Sequence, residues 1–98
     1  MNASVAIQVL PKVMEQEETR RIVDEVIAHL ASTGLHYVVG PFETTLEGNL
    51  EELLAIVKEC CRICVRAGAP SVMSYVKISY KPDGVWTIDD KTGKYQNR

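Results

Sequence analysis

The spacing of apolar residues changes several times along the chain, and each change predicts a new element. Residues 3–10 alternate between two faces, which indicates a strand that Pro11 ends because proline cannot donate to a ladder. Residues 15–32 instead repeat apolar side chains every three or four positions, the spacing of an amphipathic helix. Gly34 follows as the expected left-handed residue at its end.

A β-hairpin is predicted next, over residues 34–48, where two short runs of β-favouring residues flank a Gly-Pro pair. Neighbouring residues of a strand point to opposite faces. If Leu46 points to the core, Thr45 and Glu47 therefore point away from it.

The second half of the chain repeats the pattern of helix and strand. A helix is expected over about residues 50–67 with Asn49 as its N-cap, and a strand over 71–80 with Val72, Val76 and Ile78 facing the helices. The buried stripe of this helix is expected to be Leu50, Leu53, Leu54, Val57, Cys61, Cys64 and Val65.

The tail beyond a turn at residues 81–84 is expected to form a short helix from about Thr87. Trp86 and Ile88 are its expected docking residues.

The order β-α-β-β-α-β predicts a single domain over residues 1–98 with a ferredoxin-like sandwich fold. Its four-stranded antiparallel sheet would carry two helices on one face and leave the other face bare. Bare sheets of this kind often bury themselves by oligomerisation, so a dimer or larger assembly is expected. The bare face would carry Ala6, Gln8, Thr45, Glu47, Met73, Tyr75 and Lys77.

Charge and composition exclude several classes of protein. The 98 residues have a net charge of −2 with no basic stripe, which argues against a nucleic-acid partner. No apolar run approaches the ~20 residues of a membrane span, and no basic-then-apolar start indicates a signal peptide. Three cysteines within five residues form no disulfide framework, which favours a reducing cytoplasm.

Enzymatic chemistry has little support in the sequence. The Cys60-Cys61-x-x-Cys64 run lies on a predicted apolar stripe, where cysteines behave as small hydrophobes rather than as a redox or metal site. His29 lies near the end of the first predicted helix, where the helix dipole favours it. His36 at the mouth of the hairpin could touch a ligand, but it has no acid or nucleophile beside it. No phosphate-binding glycine loop is present, so neither an enzyme nor a cofactor is expected.

The predicted hairpin offers better candidates for binding. Tyr37 and Phe42 place rings next to the hydroxyls of Thr44 and Thr45 and the carboxylate of Glu47. Rings and acceptors on one rigid hairpin can hold a small, flat, polar molecule, although an ordinary hairpin with a solvated face fits the same pattern. A carboxylate on a sheet needs a partner, and an intersubunit ion pair remains the alternative to a ligand.

The chain resembles the thiamine-binding protein family, which is related to the YkoF-like domain that binds thiamine or hydroxymethylpyrimidine. The resemblance covers nearly the whole chain, and its most specific part is the Thr-Thr-x-Glu-Gly segment. The matching runs are Gly34-Leu-x-Tyr37-x-Val-Gly40-Pro41-x-x-Thr44-Thr45-x-Glu47-Gly48, Glu51-Glu52-Leu-x-x-x-Val57-Lys58-Glu59, Lys77-Ile-Ser-Tyr80 and Ile88-Asp-Asp-Lys91. Where many relatives carry an arginine near the start of the last strand, this chain has Ser71-Val72-Met73.

The resemblance implies a homotetramer, built from dimers whose sheets associate, that binds thiamine or its pyrimidine moiety at a subunit interface without a reaction. It leaves open which form of the ligand binds, the phosphorylated form included. The alternative is a regulatory module with another effector, such as an amino acid or a nucleotide. The ligand-binding residues are expected to be Gln8, Tyr37, Phe42, Thr44, Thr45, Glu47 and Tyr75.

Overall fold

The computed structural model describes residues 1–95, which form one sheet with two long helices on one face. All strand pairs are antiparallel, in the order β2-β3-β1-β4. This confirms the ferredoxin-like sandwich predicted from the element order. The elements are β1 (Ala3–Pro11), α1 (Gln16–Ser32), β2 (Tyr37–Val39), β3 (Thr44–Gly48), α2 (Leu50–Arg66), β4 (Val72–Tyr80), α3 (Ile88–Thr92) and a final 3₁₀ turn (Gly93–Tyr95).

The core lies between β1, β3 and the two long helices. Burying one leucine, isoleucine or valine side chain stabilises a fold by about 1.5–3 kcal/mol, so this layer fixes which sheet face the helices cover. Its fully buried members include Ala3, Val5, Ile22, Leu30, Leu46, Leu53, Cys60 and Cys64.

Helix α1 ends as its sequence predicts. The Thr33 N–H donates to the Leu30 carbonyl, and Gly34 follows with a φ of 80°. This left-handed conformation suits glycine because it has no Cβ, and it turns the chain into the hairpin.

The predicted buried stripe of α2 is confirmed in part and differs from the structure by a rotation of the helix. Leu53 and Cys64 are buried and Leu50 and Val57 pack against the core, but Leu54 and Val65 are exposed and Cys61 is only half-buried. The cause is that the apolar residues of α2 cover one broad arc of the helix, so spacing alone does not tell which part of the arc meets the sheet. The buried residues are Leu53, Ile56, Cys60, Ile63 and Cys64.

Asn49 occupies the N-cap position of α2, as predicted, but its side chain makes no capping hydrogen bond. Instead the Asn2 Oδ1 accepts a hydrogen bond of 2.9 Å from the Leu50 N–H. A residue just before β1 therefore satisfies one of the free donors at the start of α2.

The tail turns back after β4. The Gly84 N–H donates to the Lys81 carbonyl at 2.8 Å, and α3 then begins at Ile88 with Thr87 as its N-cap. Ile88 is half-buried, as a docking residue should be, but Trp86 is 71% exposed and does not dock. The last part of the predicted tail, residues 96–98, lies outside the described residues.

Across residues 1–95, no helix has both the length and the apolar character needed to cross a membrane.

Candidate functional site

The sheet face opposite the long helices was predicted to be bare, but the tail covers part of it. We call this face the open face. Register pairs Ser4 with Glu47 and Ala6 with Thr45, so these four residues share that open face. Ser4, Ala6 and Glu47 are nevertheless buried, and Glu47 is covered by α3, which contacts it through the Ile88 N–H. The tail thus covers part of the open face and borders a pocket that is still partly open to solvent.

Glu47 is the residue on which the tail docks. Its side chain is 8% exposed, and its Oε2 accepts a hydrogen bond of 2.8 Å from the Ile88 N–H. Its Oε1 lies 3.7 Å from His36 Nε2. A buried carboxylate is costly without hydrogen bonds, and the backbone donor of α3 offsets that cost.

Lys77 does not neutralise Glu47. Its Nζ lies 2.9 Å from the Glu43 Oε2 and so reaches across the open face to the loop between β2 and β3. Although Lys77 and Glu47 share the open face, the ion pair of Lys77 is therefore with Glu43.

A capping box fixes the start of α3. The Asp90 N–H donates to Thr87 Oγ1 at 2.8 Å, and the Thr87 N–H donates to Asp90 Oδ2 at 2.9 Å. The bond from the Thr87 N–H lowers the pKa of the Asp90 carboxyl. Reciprocal capping of this kind allows a helix of five residues to keep its shape at the protein surface.

A cavity of about 600 Å³ lies between the open face and α3. This size falls within the ~300–1,000 Å³ of small-molecule sites. Its floor comes from the sheet and the segment before β2, and its roof from the tail. The lining residues are Ser4, His36, Val38, Thr45, Ile88, Asp89, Lys91 and Thr92.

Two of the seven predicted ligand-binding residues lie at this cavity. Thr45 lines it, and Glu47 lies beside it in contact with Ile88 and His36. Gln8 and Tyr75 are register partners on the same open face but do not line the cavity.

The other three predicted residues lie elsewhere. Tyr37 pairs with Leu46 and Thr44 pairs with Ile7, so both share the helix-facing side of the sheet. Phe42 is 78% exposed in the turn between β2 and β3. The physical reason is strand alternation, which places Thr44 and Thr45 on opposite faces although they are neighbours in sequence.

Several lining residues were missed by sequence reasoning. Ser4 carried a usable signal, because it alternates with the core residues Ala3 and Val5 on β1. Asp89, Lys91 and Thr92 carried none, because a short tail helix can dock in many places and its own pattern does not choose one.

The cysteines lie away from the cavity, on α2. Burial raises the pKa of the Cys60 thiol to about 12 and also raises the pKa of Cys64. Both thiols therefore stay protonated at neutral pH and pack as small apolar groups. The Cys61 Sγ lies 3.3 Å from the Ser74 Oγ on β4.

Comparison with known proteins places this geometry in context. A protein of the family UPF0045 from Clostridium perfringens is 48% identical over 93 residues, which are 95% of this chain and 96% of that protein. The structure of a candidate thiamine biosynthesis or salvage protein from Thermotoga maritima matches with a TM-score of 0.87 and 35% identity. That match covers 98% of this chain and all of the other.

A second solved structure, a DUF77 domain of unknown function from Bacillus cereus, also matches with a TM-score of 0.87. The two chains are 37% identical, and the match covers 99% of this chain and 92% of the Bacillus cereus chain. The family model described as "Thiamine-binding protein" matches residues 5–96, which include the cavity lining apart from Ser4. On these grounds the chain belongs to the thiamine-binding protein family.

Proposed function

We propose that this protein binds thiamine or its hydroxymethylpyrimidine moiety in the cavity under α3, as a homo-oligomer and without catalysing a reaction. Family membership supports the ligand class. The observation that carries the site is the cavity itself, which brings hydroxyl groups and a histidine ring together beside the buried carboxylate of Glu47.

The chemistry of the cavity fits an aminopyrimidine. Such a ring has nitrogen acceptors, an amino donor and a flat π-face. The hydroxyls of Ser4 and Thr45 can both donate and accept along its edge. The imidazole of His36 offers a face for stacking, and Val38 an apolar wall.

In this proposal one carboxylate oxygen of Glu47 accepts a hydrogen bond from the tail and the other accepts one from the ligand. Its Oε2 holds the Ile88 N–H, while Oε1 lies nearer the His36 ring that lines the cavity. A ligand amino group would donate to Oε1. The carboxylate of Asp89 would favour the cationic thiazolium of thiamine.

Oligomer formation belongs to the same proposal. Tyr75 and Met73 stay exposed on the part of the open face that α3 does not cover, and Gln8 lies beside Tyr75 in register. Packing of two such faces would bury them next to the cavity mouth, in a homotetramer of the kind that the resemblance implies. Free thiols at Cys60, Cys61 and Cys64 fit a reducing cytoplasm.

Isothermal titration calorimetry with thiamine, and separately with hydroxymethylpyrimidine, tests the proposal. Thr45→Val removes the hydroxyl that lines the cavity while nearly keeping the shape of the side chain. Thr44→Val makes the same change on the helix-facing side and is the matched control. We expect the first variant to weaken binding about tenfold, the equivalent of ~1.4 kcal/mol, and the second to leave it within about twofold.

Absence of heat for both ligands at near-millimolar protein would contradict the proposal. Equal weakening by both valine variants would place the ligand outside the cavity under α3.

A further inference from the structure

Glu47 is a buried carboxylate without a permanent cation beside it. Its side chain is 8% exposed, and its ion-pair contact among residues 1–95 is with His36, which is positive only when protonated. Its other partner is the neutral Ile88 N–H. A buried carboxylate is costly unless it is paired with a cation or well hydrogen-bonded. The carboxylate oxygen that faces His36 therefore favours a positively charged or donating group at the cavity.

The lysine of the open face is held away from Glu47. Register places Lys77, Ala6 and Thr45 in one row across β4, β1 and β3. Along the chain, Glu43 lies two residues before Thr45 and Glu47 two residues after it. Lys77 therefore lies between the two carboxylates along the strand direction, and its Nζ is 2.9 Å from the Glu43 Oε2. The negative charge of Glu47 is left for a group from outside the chain.

The neighbours of Glu47 across the sheet supply no permanent charge. Glu47 pairs with Ser4 of β1, and Ser4 pairs in turn with Ser79 of β4. On its other side, the Glu47 N–H donates to the His36 carbonyl at 3.1 Å. This row of the sheet therefore offers two hydroxyl groups and an imidazole, which can donate hydrogen bonds but do not cancel the charge of a carboxylate.

The roof of the cavity adds one negative and one positive charge. Of the described residues that line the cavity, Asp89 and Lys91 carry a full charge at neutral pH, and both are exposed on α3. Because these two charges offset each other, the buried carboxylate of Glu47 beside the cavity decides the sign of the site. A ligand that enters therefore meets a net negative charge.

The start of α3 offers few free donors to a phosphate group. Phosphates in proteins are commonly held by free N–H groups at a helix start or by arginines. Here the Ile88 N–H already donates to Glu47. The N–H groups of Thr87 and Asp90 are used in the capping box. No arginine lies among the described residues that line the cavity, so a phosphate would find one exposed lysine, Lys91, beside a buried carboxylate.

We infer that the cavity selects its ligand by charge, takes the unphosphorylated form and rejects phosphate esters, with Glu47 as the residue that determines this specificity. This selection rests on the proposed function. A thiazolium cation or an amino group lowers the cost of the buried carboxylate, whereas a phosphate brings further negative charge next to it. The rejection is strongest for hydroxymethylpyrimidine phosphate, because one CH₂–O unit joins its phosphorus to the ring and keeps the charge close to Glu47.

Calorimetry with two matched pairs of compounds tests this selection: hydroxymethylpyrimidine against its monophosphate, and thiamine against thiamine monophosphate. We expect the unphosphorylated compound to bind at least about tenfold more tightly in the first pair and about threefold more tightly in the second. Glu47→Gln should reduce the first ratio to less than about threefold, because the amide keeps the shape but carries no charge. Asp89→Asn should reduce it by a smaller factor. Asp83→Asn, which changes a carboxylate of the turn outside the cavity, is the matched control and should leave both ratios unchanged.

A phosphate ester that binds as tightly as its parent compound, or more tightly, overturns the inference and leaves the proposed function standing. Ratios that neither Glu47→Gln nor Asp89→Asn changes also overturn it, because the selection would then come from shape. Asp89→Asn does not touch the bond between Glu47 and the Ile88 N–H, so it decides the matter even where Glu47→Gln releases the tail. No heat with any of the four compounds contradicts the proposed function itself.

Discussion

The Ile88 N–H and the Glu47 carboxylate, 41 residues apart in sequence, are joined by a hydrogen bond of 2.8 Å. This hydrogen bond holds α3 against β3 and so fixes the distance between the tail and the sheet at the cavity. Glu47 therefore has a structural task in addition to any contact with a ligand, and changes at Glu47 should affect both the tail and the site.

Removing the Glu47 side chain should release the tail. In Glu47→Ala the half-buried Ile88 N–H loses its partner, at a cost of about 1–3 kcal/mol. We expect faster hydrogen exchange at residues 88–92, earlier proteolysis near Trp86, and loss of ligand binding.

Glu47→Gln separates the two roles of this residue. The amide keeps a neutral acceptor for the Ile88 N–H but has no negative charge. It should keep the tail docked while weakening thiamine binding more than tenfold. Glu43→Gln, which changes a carboxylate in the partly exposed pair with Lys77, is the control and should alter stability by less than about 1 kcal/mol. A released tail in Glu47→Gln would contradict this separation.

The capping box of α3 should govern local opening of the cavity roof. Thr87→Ala removes the acceptor of the Asp90 N–H and should destabilise α3 by about 1 kcal/mol. Hydrogen exchange at residues 88–92 should then quicken roughly fivefold, with little change in exchange of β1. Thr19→Ala on α1 is the control and should leave hydrogen exchange of the tail unchanged. Unaltered tail exchange in Thr87→Ala would show that the capping box does not stabilise α3 over the cavity.

Asn2 should contribute more to stability than Asn49, although Asn49 occupies the N-cap position of α2. Because Asn2 caps the Leu50 N–H and the Asn49 side chain caps nothing, Asn2→Ala should lower the free energy of unfolding by about 1 kcal/mol. Asn49→Ala should lower it by only a few tenths. Urea denaturation of both variants measures the two losses of unfolding free energy. A larger loss in Asn49→Ala than in Asn2→Ala would contradict capping by Asn2.

Thiol labelling should distinguish the three cysteines. Burial raises the pKa of Cys60 to about 12, so its reactive thiolate is nearly absent at pH 8, and Cys64 is protected in the same way. Cys61, half-buried at the surface of α2, should be alkylated first. Mass spectrometry after iodoacetamide treatment would show one modification in the folded protein and three in urea, and rapid labelling of Cys60 in the folded protein would contradict its burial.

Acid should loosen the tail before it unfolds the core. The pKa of Asp90 lies below its ordinary value of 3.8 because the Thr87 N–H favours the carboxylate. A lowered pKa stabilises α3 above about pH 3.8, and that contribution is lost as the pH falls through the lowered pKa. Protection of residues 88–92 from hydrogen exchange should report this step, and Asp90→Asn should remove it.

The elements and their order follow from sequence patterns because the driving forces are local. The stripe of α1, Gly34 at its end, and the opposite faces of Leu46 and Glu47 all depend on spacing within a few residues. The orientation of α2 did not follow, because its apolar residues cover a broad arc and only packing decides which part of that arc meets the sheet.

The position of Thr45 and Glu47 on the open face was predicted for the same reason. Strand alternation placed both there, and the same rule applied to Thr44 would have separated it from them. The roof of the cavity depends on a contact between residues 47 and 88, and no periodicity within the tail reveals such a distant partner.

Because α3 forms the cavity roof but contributes no buried residue to the core, its side chains can be exchanged while the sandwich beneath it stays intact. Under the proposed function, exchanges at Asp89, Lys91 and Thr92 would reshape the roof of the binding site. The contacts proposed for the ligand's edge, from Ser4, Thr45 and Glu47 on the strands, would stay as they are.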